Sequence, residues 1–344
     1  MGFFKNRLLF IVILISLFVL GFLSTYLILG KNLPTNKGSA VLPFNQFVEN
    51  TSKEINSSQE LGVVLLGYGG AGHDGGNLTD SIILFYANPE NKSAALVSIP
   101  RDLWIENINN KINEAFVQGG GDKSKNIVNQ VTDLPANYFV AVDFSNFEKI
   151  IDTLGGLEVD VPNSFTDEFY PIKGEENNTC GYDQEKIDDF KAKYFGFELE
   201  KQFECRYEQL HFDKGPIKID GETALKFVRS RHGDSDFGRS ERQFAVLSAI
   251  TNKLISLNAL QNSSSIINSL FSMVNSDLDI QAVNNLLALF TNPNEYKITQ
   301  IHLTEDNMLS SSNNSSGQYI LLPKTGNNNF SQIQNFLKEA MLNP

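Results

Sequence analysis

Twenty-two consecutive residues near the amino terminus, Leu8 to Leu29, carry no charge. At about 1.5 Å per residue such a run, as a helix, matches a hydrocarbon core ~30 Å thick, and no polar stripe interrupts it to mark a wet face. The run predicts one membrane-spanning helix. A cleavable signal peptide has a shorter apolar stretch and a small-x-small cleavage site. No Ala-x-Ala pattern precedes Lys31, so the span reads as an uncleaved signal anchor. Lys5 and Arg7 lie before it and only Lys31 follows closely. The positive-inside tendency then predicts a cytoplasmic tail of residues 1–7, a span over 8–29 and everything after Gly30 outside the cytoplasm, in a single-pass protein of the cell membrane. Residues 30–60 are polar, with Pro34, Gly38 and Pro43, and read as an extracytoplasmic linker to a globular domain over 61–344.

Past Leu61, short β-branched and aromatic runs alternate with helical patterns. Val63 to Leu66, Ser81 to Ala87, Ala94 to Ile99, Tyr138 to Val142 and Leu157 to Val161 suit buried strands. Phe147, Ile150, Ile151 and Leu154 mark one face of a helix, with Ser145 as its N-cap and Gly155 as its stop. Ser240 and Gln243 form a Ser-x-x-Gln capping box for a helix over 240–257, and further helices are expected over 280–290 and 330–341. This alternation predicts an α/β sandwich with one main sheet. Residues 163–215 read as an acidic, aromatic insertion on that core. It contains both cysteines of the chain, Cys180 and Cys205, on the predicted outer side of the membrane. A disulfide there would restrain a segment with little core of its own, and two free thiols are the alternative.

Acidic residues outnumber Lys plus Arg by 40 to 28, for a net charge of -12, which argues against a nucleic-acid partner. Against that background, three segments concentrate chemistry. A glycine-rich loop from Gly67 to Asp80 joins two strands; it lacks the Gly-Lys-Ser/Thr end of a phosphate-binding Walker loop and the frame of a dinucleotide loop. Its glycines permit close backbone approach, and the Asp80 carboxylate suits a hard cation such as Mg2+ with phosphate oxygens; a plain surface hairpin loop is the alternative. In Ser98-Ile99-Pro100-Arg101-Asp102 a strand ends and sends an arginine beyond the sheet edge, where ligands of open α/β sheets bind, with Lys111 and Asn113 shortly after. From Arg229 to Gln243 four arginines (229, 231, 239 and 242) surround a glycine-bearing loop before a helix, a local anion site in an acidic protein. His232, Asp234 and Asp236 in that loop form no recognisable triad or metal motif.

Leu65-Leu66-Gly67, Thr79-Asp80-Ser81, Ser98 to Asp102, Lys111 to Phe116, Val142-Asp143-Phe144, Leu154 to Pro162, Asp220 to Arg231 and Asp236 to Gln243, in that order, resemble the LytR-CpsA-Psr family of bacterial cell-wall ligases. The resemblance implies an α-β-α sandwich with a central mixed sheet. It further implies a membrane-anchored phosphotransferase outside the cell, which moves a glycopolymer from a polyprenyl-pyrophosphate carrier to peptidoglycan through a phosphodiester, with Mg2+ on the pyrophosphate. Carried over residue by residue, Asp80 would hold Mg2+ or act near the acceptor. Arg101, Arg229, Arg231 and Arg239 would grip the pyrophosphate, and Arg242 and Gln243 would complete the pocket; Lys111 and Asn113, a cation and an amide close to Arg101, are expected from the residues themselves to bind substrate. The family usually has an aspartate two positions after Leu-Leu-Gly and an arginine just before Thr-Asp, where this chain has Gly69 and Leu78. Either His73-Asp74 restores an acid, making Asp74 a second metal ligand, or the enzyme has one metal ligand fewer and lower activity. Two other readings of the same residues are a polyprenyl-pyrophosphate phosphohydrolase and a non-catalytic, membrane-tethered glycan-binding protein.

Overall fold

The computed structural model describes residues 60–73, 75–231, 236–256, 269–270, 272–278 and 296–342. The expected membrane span and linker, the helix expected over 280–290, and Asp74, His232 and Asp234 lie outside these residues. In chain order the elements are β1 (Leu61–Tyr68), β2 (Thr79–Asn88), β3 (Ser93–Ser98), β4 (Trp104–Ile105), β5 (Asn110–Lys111), α1 (Ala115–Thr132), β6 (Tyr138–Asp143), α2 (Phe144–Thr153), β7 (Leu157–Val161), β8 (Phe165–Pro171), α3 (Gln184–Lys193), α4 (Phe197–Glu200), β9 (Tyr207–Phe212), β10 (Gly215–Ile219), α5 (Gly221–Arg229), α6 (Asp236–Ser256), β11 (Asn275–Ser276), β12 (Lys297–His302), β13 (Leu309–Asn313), β14 (Tyr319–Pro323) and α7 (Ser331–Leu342). They fall into two compact units, one of residues up to Gly155 and from Ile250 onward, the other Gly156–Ala249.

The first unit is built on a six-stranded sheet in the order β11-β6-β1-β2-β3-β12. The sheet is mixed: β1 with β6 and β3 with β12 are parallel, while β2 is antiparallel to both its neighbours. The run Ser81 to Ala87 has no strict alternation because both faces of β2 are covered. On one face, Val64, Leu66, Leu84, Tyr86, Ala95 and Val97 pack with Ile127, Val128 and Val131 of α1 and with Ile333 and Leu337 of α7. On the other, Val63, Ile83, Phe85 and Leu96 are equally buried. The reversal of β2 has a positional consequence. Its start lies beside the ends of β1 and β3, and β6 and β12, parallel to those strands, end at the same sheet edge.

The second unit pairs β7 with β10 and β8 with β9, both antiparallel. Between β8 and β9, Ile187, Phe190 and Phe203 form a small core with Cys180 and Leu199 against it. Cys180 and Cys205 are joined by a disulfide, with Cα atoms 5.6 Å apart.

Two helix starts differ from those read in the sequence. α2 is capped by Asp143, whose carboxylate accepts from the Asn146 N–H at 2.7 Å, two residues before Ser145. Asp143 still has extended backbone (φ -86°, ψ 165°), so its side chain can reach the open N–H groups of the first turn, whereas Ser145 is already helical. α6 begins at Asp236, which leaves Ser240 a full turn inside the helix and mostly buried rather than at a cap. Gly155 does end α2, at φ +75°, donating to the Asp152 carbonyl. α1 breaks at Gly119 and Gly120, the latter at φ +60°.

Candidate functional site

In the first unit, the sheet edge where β2 starts gathers the expected residues. Asp80 is the second residue of β2, and Arg101 lies three residues past the end of β3, across the Pro100 turn. The Arg101 guanidinium and the Asp80 carboxylate form an ion pair. The turn is fixed by main-chain bonds: Leu103 N–H donates to the Pro100 carbonyl, Asn113 N–H to the Arg101 carbonyl, and Leu321 N–H of β14 to the Asp102 carbonyl. Asn113 is 6% exposed, and its carbonyl accepts from the buried Thr79 hydroxyl. Its main chain thus braces the Arg101 turn from within. Lys111 is paired with Asp102 at 2.7 Å, neutralising that carboxylate. Arg101 Nε is buried without a hydrogen-bond partner among the described residues and stands 3.6 Å from the Asp102 carboxylate.

The glycine loop folds back on itself. Gly70 N–H donates to the Gly76 carbonyl, and a Cβ at Gly76 would lie 2.1 Å from the Gly70 carbonyl oxygen. Gly70, at φ +81°, packs so closely on Asp143 that a Cβ would come within 2.9 Å of it. Tyr68, opposite Asp143 in the β1–β6 register, has its phenol pushed up by burial and then by the Asp143 charge. His73 stands edge-on to Phe144, their centroids 5.3 Å apart. These glycines serve the close packing of loop against loop and of loop against the α2 cap, a use separate from ligand approach. Asp74 lies outside the described residues.

Asp80 is partly exposed and offers hard oxygen, the donor that Mg2+ prefers. Among the described residues no three His, Cys, Asp or Glu side chains are grouped to hold a metal by themselves. The Asp80 carboxylate beside the Arg101 cation fits an ion that takes few oxygens from the protein and the rest from phosphate and water, as Mg2+ does.

In the second unit, Arg229 closes α5, Ser230 ends it with N–H to the Lys226 carbonyl, and Arg231 follows. Arg239 and Gln243 are one turn apart on α6 and half-buried. Arg229 donates to the Tyr170 hydroxyl at 3.4 Å. Burial pushes the Tyr170 phenol up, with Arg229 and Lys226 pulling it back, so the hydroxyl keeps its proton. Arg242, expected to complete the pocket, is bound to main-chain carbonyls. It is 1% exposed, its Nε donates to the Phe227 carbonyl at 2.8 Å and its Nη2 to the Ser230 carbonyl at 2.5 Å, and its guanidinium lies 4.3 Å from the centre of the Phe165 ring. It satisfies carbonyls left open at the end of α5, a capping task that the run of arginines concealed.

Sequence reasoning passed over Asp167, a fully buried carboxylate of β8. It accepts from the Ser230 hydroxyl at 2.7 Å and from Arg231 N–H at 3.0 Å. The signal was an acid on the inward-facing register of a strand, in Phe165-Thr166-Asp167, where burial without partners is unfavourable.

A family model described as the LytR_cpsA_psr family matches residues 35–336. A Bacillus cereus polyisoprenyl-teichoic acid--peptidoglycan teichoic acid transferase TagU is 32% identical over 206 residues, 58% of this chain and 54% of the relative's own length. A TagU of Bacillus anthracis is 29% identical over 262 residues, 72% of this chain and 73% of the relative. Among solved structures, B. subtilis TagV superposes with a TM-score of 0.55 at 22% identity, over 83% of this chain and 98% of that one. TagT bound to LI-WTA gives 0.52 at 24% identity, over 82% and 89%. These two share the fold of the chain.

Proposed function

Because the chain belongs to the LytR_cpsA_psr family, we propose that it is a membrane-anchored phosphotransferase that joins a glycopolymer from a polyprenyl-pyrophosphate carrier to peptidoglycan outside the cell. The observation that carries the reading is the Asp80–Arg101 pair at the sheet edge, with a buried Arg101 Nε from which no described residue accepts a hydrogen bond. A buried donor of that kind asks for an acceptor. A phosphate oxygen supplies one, and a guanidinium keeps its charge while it does so.

In the proposed reaction an acceptor hydroxyl of peptidoglycan attacks the phosphorus that carries the glycan. Its bond to the bridging oxygen breaks, polyprenyl phosphate leaves with that electron pair, the hydroxyl proton passes to water, and a phosphodiester remains between the two polymers. Arg101 at the sheet edge holds pyrophosphate oxygens as charge moves to the leaving group, and the family resemblance implies the same task for Arg229, Arg231 and Arg239. Asp80 holds Mg2+, which when bound neutralises pyrophosphate charge and polarises the phosphoryl group. Asp74 is proposed as a second ligand in place of the acid missing at Gly69. Lys111 and Asn113 keep the Arg101 turn in shape, as their contacts to Asp102 and Arg101 indicate. The uncharged run over 8–29 is proposed as the anchor that keeps the enzyme beside its lipid-borne donor, and Arg242 as a structural member of the α5–α6 region rather than a substrate ligand.

The test is incubation of full-length protein in detergent with a polyprenyl-pyrophosphate glycan, Mg2+ and peptidoglycan fragments, followed by mass analysis. A product heavier by one glycan phosphate on the fragment supports transfer. Free glycan phosphate in its place would assign the chain to the hydrolases, and no turnover with retained glycan binding would make it a tethered binding protein.

A further inference from the structure

The β8–β9 pairing carries an irregularity that assigns work to two residues outside the motifs. Asp167 pairs with Leu210 and Tyr170 with Glu208, so three steps along β8 match two along β9. In a regular strand residues three apart point to opposite faces, and one extra residue reverses that. Phe165, Asp167 and Tyr170 are accordingly all buried, while Glu168 is exposed. Each meets a different part of the arginine segment. Phe165 lies under the Arg242 guanidinium, Asp167 binds the Ser230 hydroxyl and the Arg231 N–H, and the Tyr170 hydroxyl accepts from Arg229. The other Asp167 oxygen accepts from Phe169 N–H at 3.0 Å, inside the irregular stretch, so the same side chain supports the bulge and the segment it serves.

We propose that Asp167 and Tyr170 are positioning residues of the pyrophosphate site: the bulged face of β8 sets the direction in which Arg229 and Arg231 leave the end of α5. A bulge used only to bend a strand would need neither a buried carboxylate nor a tyrosine hydroxyl aimed at an arginine. Asp167 acts on Arg231 through the main chain, Tyr170 on Arg229 through its guanidinium, and neither touches substrate. The inference rests on the proposed function, in which these arginines hold pyrophosphate.

The experiment measures binding of geranylgeranyl pyrophosphate by calorimetry to full-length protein in detergent, with thermal unfolding recorded for every variant. Tyr170→Phe removes one oxygen and keeps the ring. It is expected to weaken binding about fivefold, the effect of one hydrogen bond, with the melting temperature unchanged. Asp167→Asn keeps the shape and is expected to weaken binding about tenfold or more. A positioning residue has nothing left to position once its arginine is gone, so Tyr170→Phe added to Arg229→Ala, and Asp167→Asn added to Arg231→Ala, are expected to cause no further loss. Additive losses in both pairs would assign these residues to general stability and overturn the inference. Should Asp167→Asn fail to fold, the Tyr170→Phe pair decides alone. If Arg229→Ala and Arg231→Ala weaken binding while Tyr170→Phe and Asp167→Asn do not, the positioning role falls and the proposed function stands. If neither arginine variant weakens binding, the site reading falls and takes this inference with it.

Discussion

At the scale of single residues, the arginines of this chain divide by what they touch. Arg242 donates to the Phe227 and Ser230 carbonyls, whereas Arg229 and Arg101 meet a tyrosine and carboxylates and, with Arg231, are the arginines proposed to hold pyrophosphate. Replacing Arg229 or Arg231 with Ala removes charge-assisted hydrogen bonds of about 1.5–3 kcal/mol and is expected to lower turnover by about ten- to a hundredfold. Lysine rescues only part, because a point charge lacks the planar fork. Steady-state transfer rates check this, and wild-type rates in both Ala variants would remove the arginines from the mechanism. Arg242→Ala differs in kind: it strips a buried cap and should appear first as a lowered melting temperature. Asp80→Asn is expected to abolish Mg2+-dependent transfer and to remove metal binding in a titration with a pyrophosphate lipid present. His302, at the end of β12, is held neutral by burial, its pKa lowered to about 4 against an ordinary value of 6.5. The unfolded chain takes up this proton below about pH 6.5 while the folded chain does so only near pH 4, so stability present above 6.5 is lost as pH falls through that window. His302→Gln should flatten the melting temperature over that range relative to wild type, and parallel curves would show that burial of this ring does not set the acid response.

Among the elements, α1 and the Cys180–Cys205 lobe make the sharpest expectations. A Cβ on Gly121 would lie 2.1 Å from two atoms of the Phe139 ring, so Gly121→Ala forces α1 away from β6. Overpacking of this kind costs about 1–3 kcal/mol, and denaturant unfolding should show that loss with the fold retained. Reduction of the disulfide is expected to loosen residues 163–215, above all the small cluster of Ile187, Phe190 and Phe203 between β8 and β9, and to leave the six-stranded sheet protected in hydrogen exchange. The sheet strands were legible in the sequence because their apolar runs exceed what any other element would bury, as in Ser81 to Ala87. The helix starts were less so. Asp143 and Ser145 are both fair caps by type, and only backbone angle separates them. The site was legible where a motif ends a strand, as at Arg101. It was not legible where the chain's own needs compete for the same residue type, as with Arg242, or where one inserted residue changes the facing of a strand, as at Tyr170, because the period-two pattern that identifies strands assumes that no residue is extra.

For the whole molecule, the arrangement proposed is a catalytic domain on a tether. The donor is confined to the bilayer by its lipid, so an enzyme confined there too meets it in a shell rather than in bulk solvent. A random coil of about 30 residues has a root-mean-square span of about 30 Å, so a linker of that kind would hold the domain within a molecular diameter of the surface. Effective concentrations under such tethers reach about the millimolar range, and their advantage disappears when the substrate is no longer held on the membrane. Full-length protein and a chain starting at Leu61 should therefore differ by about a hundredfold in transfer from donor embedded in vesicles. They should agree within about a factor of two on a short-chain, water-soluble prenyl-pyrophosphate glycan, where proximity contributes nothing. Fractionation of cells should place the full chain in the membrane pellet, with its globular part open to added protease only from the outer side. Equal rates on vesicles would reduce residues 8–29 to a device of location alone, and a truncated chain inactive on both donors would mean that the first sixty residues contribute to the site itself.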